Sequence, residues 1–333
     1  MAKEFKRLVF HKGSCGKKIP GPRLDRDFLN FQNISNWPSS LMVSLKKYFD
    51  EIIYLISVPN RRDARSSVIE HGVKYEVVYK EDLTSKWMHD CDVFFNRAVT
   101  LVPPENPVSI YYSSSSVIVP EGSSNWDAVL TTCRTCTEIN NNIYSWIKGE
   151  NSDFWCPEHI EKEFDFVVVG RWHKDIKCVI ELAKKYPQMK IASVGWGGKY
   201  NIEKRMFEMP EKPAFNLPNI TEFGRLSDHG KVRDVLNRSK IGIAVTARGA
   251  EGFPMQTQME YSMTGLYFVY DRFMLQDGYY VNNTTGSIFY DSDKVLKNWE
   301  ELGRGAREYA VRNFSSEVSA SCFMKIISSV RKK

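Results

Sequence analysis

Short apolar runs separated by polar stretches dominate the first half of the chain. Runs of this kind, rich in β-branched and aromatic side chains, are typical of strands buried on both faces of a parallel sheet. Residues 39–49 instead repeat apolar positions at helical spacing. Strands are predicted at 7–11, 51–57, 74–79, 92–96, 107–112 and 126–131, with a glycine-containing loop at 11–17 after the first strand.

A polar, proline-containing stretch at 146–163 interrupts this alternation and predicts a link between two domains. A second alternation follows it. Its strands are predicted at 164–169, 190–194, 220–223, 241–245 and 267–270, and its helices at 178–186, 231–238, 256–263, 293–314 and 316–330. Strands that alternate with helices are joined by crossovers and form mostly parallel sheets. We therefore predict an N-terminal α/β domain at 1–155, a C-terminal α/β domain at 156–315 and a final helical segment at 316–333.

The composition is that of an ordinary globular chain. Its 333 residues are 42% hydrophobic and 26% charged, and a chain of this length buries a sizeable core without disulfides. No apolar run is long enough to span a membrane, and the first residues lack the apolar stretch of a signal peptide. The seven cysteines are scattered, and Cys133 and Cys136 form a single C-x-x-C pair that we interpret as two reduced thiols, with a zinc or redox role as the alternative. A cytoplasmic protein is expected, in a host cell if the chain is viral.

Cations directly follow the first strand of the second half. Gly170 ends that predicted strand, and Arg171 and Lys174 come next in the run VGRWHK. In parallel sheets, ligands collect beyond the carboxyl ends of the strands, and the planar fork of arginine matches phosphate oxygens. The net charge of +6 suits a phosphate-rich ligand, an anionic membrane surface or nucleic acid alike. A surface loop with solvated cations is the alternative interpretation.

A second candidate segment, RGAEGFPMQTQME, leads into the predicted helix at 256–263. Gly252 lets the backbone approach a ligand closely, and the free N–H groups of a helix start near Phe253 and Pro254 attract anions such as a diphosphate. Glu251 precedes them and Glu260 lies on the helix, where a carboxylate accepts hydrogen bonds from sugar or ribose hydroxyls. The alternatives are a helix-capping acid for Glu251 and an exposed helix residue for Glu260.

The order of these segments resembles the C-terminal domain of glycosyltransferase family four. VGR with a nearby lysine is followed by SVGWGG, then by ITEFGRLSDHGKVRDVLNRSKIGIAV and EGFPMQTQMEYSMTG. The run EYSMTG is similar to the family's E-A-M-A-x-G helix and turn, and NFSSE is similar to the start of its closing helix. The resemblance covers about residues 165–325.

This resemblance implies the GT-B fold, in which two Rossmann-like α/β domains with parallel sheets face a central cleft and the last helix crosses back to the N-terminal domain. It implies a retaining transferase that takes a sugar from a nucleotide-sugar donor, with UDP as the commonest nucleotide in the family. Arg171 and Lys174 would bind the donor diphosphate and stabilise the leaving group. Glu260 would hold the ribose hydroxyls, and residues 251–254 would contact the donor sugar and phosphate.

The chain departs from the family pattern in two places. The family's two glutamates are eight positions apart, whereas Glu251 and Glu260 are nine apart. The loop before Lys174 is also shorter than usual, which leaves Lys177 as a rival to Lys174. No Asp-x-Asp pair and no cluster with metal-ligand spacing appears in the sequence. That agrees with the family, whose members generally need no metal because cations and a helix end bind the diphosphate.

In the N-terminal half, Gly13 and Ser14 are predicted to bring backbone amides to the donor phosphates, with a plain turn as the alternative. The acceptor site is less well defined. Its candidates are polar residues near predicted strand ends, namely His11, His89, Asp92, Asn96 and Arg97. The oligomeric state is not predicted.

The acceptor is expected to be a glycan or lipid-linked sugar, or a hydroxymethylated DNA base of the kind that phage glycosyltransferases modify, with a small molecule as the third option. For DNA, Trp37, Trp87 and Trp126 are candidate exposed aromatics that meet an extruded base. Three other classes remain as alternatives, one of which is a sugar-nucleotide epimerase of similar two-domain form. A nicotinamide-dependent oxidoreductase needs a G-x-G-x-x-G turn, which GWGG followed by Lys199 and Tyr200 does not provide. A non-catalytic sugar-nucleotide-binding protein would use the same scaffold.

Overall fold

The computed structural model describes most of the chain as two compact units. Unit 1 comprises Met1–Asn151 and Phe314–Lys333, and unit 2 comprises Ser152–Asn313. None of the helices described here has the length and apolar character needed to cross a bilayer. The described residues are 3–14, 20–83, 87–97, 101–113, 125–131, 142–170, 176–195, 199–201, 206–208, 215–244, 256–270, 286–288 and 292–331.

Unit 1 is built on an eight-stranded sheet with the order β3-β4-β2-β1-β5-β6-β7-β8. Neighbouring strands are parallel except for β3 and β4, which form an antiparallel edge. The strands are β1 Phe5–Ser14, β2 Phe49–Val58, β3 Arg65–Glu70, β4 Val73–Tyr79, β5 Val93–Asn96, β6 Val108–Ser113, β7 Ala128–Thr131 and β8 Ile143–Ser145. The central strands are almost wholly buried, which explains their continuous apolar sequence.

The described part of this unit includes three α-helices: α1 Pro20–Gln32, α2 Trp37–Leu45 and α8 Ser316–Arg331. The last of these, α8, packs into the same core as the sheet. Its Phe323 is fully buried, and the ring centroid of Phe323 lies 4.9 Å from that of Phe95. The indole N–H of Trp146 donates to the carbonyl of Ser319 at 3.2 Å. The last helix is therefore part of the hydrophobic core of unit 1.

The first strand is longer than its sequence indicates. The predicted loop at 11–17 is wrong at its start, because β1 continues to Ser14 and pairs there with Ser57 of β2. The register shifts between His11 and Ser14, and Gly13 has φ 109°. A glycine accepts this backbone conformation without strain. The strand therefore bulges and continues, which places Gly13 and Ser14 within β1 and not in the loop.

Unit 2 is built on a six-stranded sheet with the order β13-β10-β9-β14-β15-β16, in which every pair of neighbours is parallel. A separate antiparallel pair is formed by β11 and β12. The strands are β9 Phe164–Val169, β10 Ile191–Val194, β11 Lys199–Asn201, β12 Met206–Glu208, β13 Ile220–Glu222, β14 Ser239–Ala244, β15 Tyr267–Tyr270 and β16 Gly286–Ile288. The helices are α3 Ile176–Lys185, α4 His229–Asn237, α5 Gln256–Met263, α6 Ser292–Lys297 and α7 Trp299–Phe314.

The single helix predicted at 293–314 is two helices, α6 and α7. Asn298 separates them, and its side-chain amide donates to the carbonyl of Lys294 at 3.1 Å. Its backbone N–H bonds to Val295, three residues back, also at 3.1 Å. Asparagine side chains compete in this way with the helical hydrogen bonds of the backbone. The chain therefore turns at Asn298 although the apolar spacing continues through it.

Candidate functional site

Three adjacent strands of unit 2 are followed by glycines with positive φ. They are Gly170 after β9 (φ 125°), Gly195 after β10 (87°) and Gly224 beyond β13 (61°). The N–H of Gly195 donates to the carbonyl of Gly224 at 2.7 Å, and the N–H of Gly170 donates to that of Val194 at 3.0 Å. Residues with a side chain rarely adopt these conformations. Gly195 and Gly224 were not among the predicted site residues, although the runs SVGWGG and EFG each place a glycine just after a predicted strand.

The strand order of unit 2 indicates where a ligand binds at this edge. The chain proceeds from β9 to β10 on one side of the sheet and later returns to β14 on the other side of β9. In open parallel sheets, the connections leave a crevice at the carboxyl ends of two such diverging strands. The crevice of unit 2 is therefore expected between the ends of β9 and β14.

The hydroxyl of Tyr261, on α5, lies between the end of β9 and the end of β14. It accepts a hydrogen bond from the N–H of Val169, the last residue of β9, at 2.8 Å. It also lies 3.2 Å from the carbonyl oxygen of Ile243 on β14 and 3.4 Å from that of Val167. Burial raises the pKa of the Tyr261 hydroxyl above its usual range, and the nearby Glu260 raises it further. The hydroxyl therefore keeps its proton and can donate it to one of these carbonyls.

The ring of Tyr261 requires a glycine on the neighbouring strand. A Cβ atom added to Gly242 of β14 would lie 2.6 Å from the ring carbon Cδ2, well inside van der Waals contact. Tyr261 is completely buried, so its ring has little room to move away. The pair of Tyr261 and Gly242 thus holds α5 close against the sheet.

Glu260 lies next to Tyr261 on the same helix and is 7% exposed. The alternative interpretation of Glu260 as an exposed helix residue is therefore excluded. Residues 258–263 of α5 are all buried, and the hydroxyl of Thr264 donates to the carbonyl of Glu260 at 2.8 Å. Glu260 follows the predicted ligand-binding loop and lies on the helix that contacts the end of β9 through Tyr261. This position keeps Glu260 a candidate ligand-binding group.

Several predicted site residues fall outside the described part of the chain, and their roles stay predictions. Lys177 is in α3, but its side chain is not among those described. Gly170 and Glu260 are the predicted donor-site residues of unit 2 that the structure describes. The residues outside the description are Arg171, Lys174, Glu251, Gly252, Phe253 and Pro254, together with the pair Cys133 and Cys136.

In unit 1, a buried histidine lies at the corresponding position of the sheet. His11 of β1 is 2% exposed. Its Nδ1 lies 2.8 Å from Oδ1 of Asn96 on β5, and its Nε2 lies 3.0 Å from the hydroxyl of Ser57 on β2. Burial lowers the pKa of His11 to about 4, although the hydrogen bond to Asn96 favours the charged form. The neutral imidazole links three strands and is satisfied within the protein.

The other acceptor-site candidates of unit 1 lie at opposite edges of the sheet. Asp92 immediately precedes β5, and its carboxylate accepts from the N–H groups of Lys6 and Arg7 at 2.7 and 2.8 Å. Asp92 therefore lies at the amino edge of the sheet, and the exposed His89 precedes it by three residues. Arg97 follows the last residue of β5 and lies at the carboxyl edge, where ligands collect in parallel sheets. Arg97 is therefore the strongest of these candidates.

The tryptophans proposed as exposed aromatics are buried. Trp37, Trp87 and Trp126 are 3%, 8% and 6% exposed. Each belongs to one of the two hydrophobic clusters on the faces of the unit 1 sheet. Their large apolar rings contribute more by filling the core than they would at the surface. These three rings therefore offer no surface on which an extruded base could stack.

No protein-family model and no curated protein matches the chain, but solved structures match nearly its whole length. A glycosyltransferase from Rickettsia africae ESF-5 has a TM-score of 0.62 at 12% identity, covering 98% of this chain and 99% of that one. Anabaena Alr3699/HepE in complex with UDP and glucose has a TM-score of 0.62 at 10% identity, covering 98% and 100%. The α,α-trehalose 6-phosphate synthase from Burkholderia multivorans has a TM-score of 0.60 at 9% identity, covering 98% and 99%.

At these identities the likeness shows the fold. The chain has the α/β architecture of these glycosyltransferase structures, with two largely parallel sheets in one chain. The fold class predicted from the sequence, GT-B, is confirmed. The resemblance to family four stays a prediction. Among the described residues, no three His, Cys, Asp or Glu side chains converge closely enough to hold a metal ion.

We predict that Tyr261→Phe lowers the free energy of unfolding by about 1–3 kcal/mol, because the buried N–H of Val169 loses its acceptor. Urea unfolding measures the loss, and amide hydrogen exchange at Val169 should become faster. Tyr144→Phe is the control, since the Tyr144 hydroxyl has no hydrogen bond in the described structure, and it should change stability little. Unchanged exchange at Val169 would contradict the assignment.

We predict a pH-dependent contribution of His11 to stability. Its folded pKa of about 4 lies below the ordinary value of 6.5, so the unfolded chain binds the proton more readily. Stability from this residue is complete above pH 6.5 and falls as the pH drops toward 4, by at most roughly 3 kcal/mol. Unfolding of His11→Gln should lack this slope, whereas the exposed-site control His89→Gln should keep it. Parallel profiles for wild type and His11→Gln would refute the prediction.

Proposed function

We propose that the chain is a glycosyltransferase that moves a sugar from a nucleotide-sugar donor to an acceptor hydroxyl. Unit 2 binds the donor, and a UDP-sugar is the first candidate. The observation that carries this proposal is the carboxyl edge of unit 2, where glycines follow three strands and the end of β9 is hydrogen-bonded to the helix that bears the buried Glu260. A ligand rich in phosphates and hydroxyls suits an edge at which glycines allow a close approach to the backbone and a carboxylate accepts hydrogen bonds.

The comparisons support the same reaction class. The structures that share the fold over nearly the whole chain include glycosyltransferases, and one of them was solved with UDP and glucose. The sequence resemblance to family four adds the order of motifs in the second half. Under that resemblance, Glu260 binds the ribose hydroxyls and Gly170 allows the donor phosphates to approach the end of β9.

We propose a retaining transfer that uses no metal ion. Arg171 and Lys174 offset the negative charge that builds up on the departing diphosphate, and preorganised charges of this kind are usually the largest catalytic contribution. The acceptor hydroxyl attacks the anomeric carbon on the face that the diphosphate leaves. Glu251 contacts the donor sugar, and residues 252–254 bring backbone N–H groups to the diphosphate.

Unit 1 is proposed to receive the acceptor, with Gly13 and Ser14 at the end of β1 approaching the donor phosphates. The proposed acceptor classes are a glycan or lipid-linked sugar, a hydroxymethylated DNA base, and a small molecule as the third option. The burial of the three tryptophans removes one argument for DNA. The described cysteines are free thiols, namely Cys91, Cys156, Cys178 and Cys322. Free thiols are usual in a reducing compartment, so we propose that the enzyme acts in the cytoplasm.

Donor binding gives the first test. UDP or a UDP-sugar in the presence of EDTA should stabilise the protein by about 2.7 kcal/mol at one hundred times its dissociation constant. Thermal unfolding with UDP, GDP, ADP and TDP measures the effect and identifies the base. If none of the four raises the melting temperature, unit 2 does not bind a nucleotide and the proposed function falls.

Kinetics of point variants test the site. Arg171→Ala should lower kcat by about 10²-fold or more, the usual cost of losing one preorganised charge partner in the transition state. Glu260→Ala should chiefly raise the donor KM, because ribose contacts are equal in the ground and transition states. Lys174→Ala should resemble Arg171→Ala, with Lys177→Ala as its matched control. Full activity in both Arg171→Ala and Glu260→Ala would show that the site lies elsewhere.

A further inference from the structure

Arg97 lies where the connections of the unit 1 sheet diverge. The chain passes from β1 to β2 on one side and returns to β5 on the other, so the crevice of this sheet is expected at the carboxyl ends of β1 and β5. Arg97 is the residue after β5, and its backbone N–H donates to the carbonyl of His11 on β1 at 3.0 Å. The Arg97 backbone therefore belongs to the rigid end of the sheet and not to a free loop.

Aromatic rings hold the guanidinium of Arg97. Its central carbon lies 5.1 Å from the ring centroid of Trp37 and 5.8 Å from that of Tyr112. The two rings are 5.1 Å apart, and both also pack against Trp146. Trp37 and Tyr112 are each only 3% exposed. Rings fixed in this way orient the planar guanidinium before any ligand arrives, which lowers the entropy lost on binding.

Among the described residues, four other arginines are stacked on rings, and three of them differ from Arg97 in one respect, whereas the exposed Arg331 over Phe5 also lacks a carboxylate partner there. Arg61, Arg233 and Arg238 each lie over an aromatic ring and also pair with a carboxylate, from Asp82, Glu158 and Glu163 respectively. The guanidinium of Arg97 has no hydrogen bond or ion pair to any part of the chain that the structure describes. Its fork of N–H donors is half-buried and preorganised, and no described group occupies it, so it suits an oxyanion.

Further cations lie close to Arg97. Lys12 of β1 forms a 2.8 Å ion pair with Asp27 of α1, and Arg26 lies 3.7 Å from the same carboxylate. Burial lowers the pKa of Lys12, the ion pair with Asp27 opposes this, and the positive charges of Arg97 and Arg26 lower it further. Lys12 and Arg26 share the carboxylate of Asp27, and Arg97 adds its own charge beside Lys12, so these four groups carry two positive charges in excess. Lys148 and the buried Glu150 also adjoin these rings and add one charge of each sign.

We propose that the carboxyl edge of unit 1 binds a phosphate monoester carried by the acceptor, with Arg97 as its main contact. A monoester carries close to two negative charges at neutral pH and so matches the excess charge of the site. Its three terminal oxygens suit the arginine fork together with Lys12 and Arg26. A carboxylate or a phosphodiester brings a single charge and leaves the site partly uncompensated. The statement that the acceptor carries the phosphate rests on the proposed function, whereas the anion site itself does not depend on that function.

The test is calorimetric titration of the full chain with inorganic phosphate after saturation with UDP, which occupies the donor site. Wild type should bind phosphate, and Arg97→Gln should weaken binding by at least about tenfold, because hydrogen bonds to a charged group are lost. Arg97→Lys keeps the charge without the fork and should lie between the two. Arg61→Gln is the matched control, a ring-stacked arginine that already has a carboxylate, and should bind as wild type does. Circular dichroism verifies that each variant is folded.

Dimethyl phosphate and acetate, titrated in the same way, separate the monoester from singly charged anions. Both should bind more weakly than phosphate, and equal binding would overturn the assignment to a monoester. Phosphate binding that is absent in wild type, or unchanged in Arg97→Gln and Arg97→Lys, would overturn the site. If UDP causes no stabilisation but phosphate binding depends on Arg97, the anion site stands and the proposed function fails. Transfer to hexose phosphates should exceed transfer to the free hexoses, and Arg97→Gln should reduce that preference at least about tenfold.

Discussion

The hydrogen bond between the Tyr261 hydroxyl and the N–H of Val169 is the interaction on which the unit 2 edge depends. Two parallel strands that diverge leave buried backbone groups without partners, and each such group costs free energy. In unit 2 a side chain from α5 satisfies the last N–H of β9 and lies beside a carbonyl of β14. Gly242 leaves the space that the ring needs. The positions of Gly170, one residue after Val169, and of Glu260, one residue before Tyr261, follow from this contact.

In unit 1, different residues satisfy the polar groups at the end of the first strand, and the residues that remain for a ligand are different too. His11 lies between Asn96 and Ser57 and links the first strand to both of its neighbours. Because this polar group is buried and satisfied, it stabilises the edge but has no hydrogen-bonding capacity left for a ligand. Hydrogen-bonding capacity for a ligand is found instead at Arg97, the residue that follows Asn96. One sheet edge therefore presents glycines and a carboxylate, and the other presents an excess of positive charge.

Most of the regular structure could be predicted because buried parallel strands have an unmistakable apolar sequence. The elements that were missed have weaker local signals. In α1, Leu24, Phe28 and Phe31 have helical spacing, but charged residues and two prolines surround them. The edge strand β3 is exposed along almost its whole length, so it has no buried face to reveal it. The bulge at Gly13 and the break at Asn298 arise from single hydrogen-bonding choices that periodicity does not report.

The sequence by itself determined the alternation of strands and helices, the glycine after β9 and the carboxylate Glu260, because each is encoded within a few neighbouring residues. Tertiary structure alone decided which polar residues are satisfied and which are free. Tyr261 meets Val169, 92 positions away, and Trp37, far from Arg97 in sequence, supports its guanidinium. Burial and pairing of this kind depend on strand order and on which side chains pack across it. Strand order and packing across strands are not properties of a local segment. The roles of Arg97 and Tyr261 therefore cannot be read from the sequence around them.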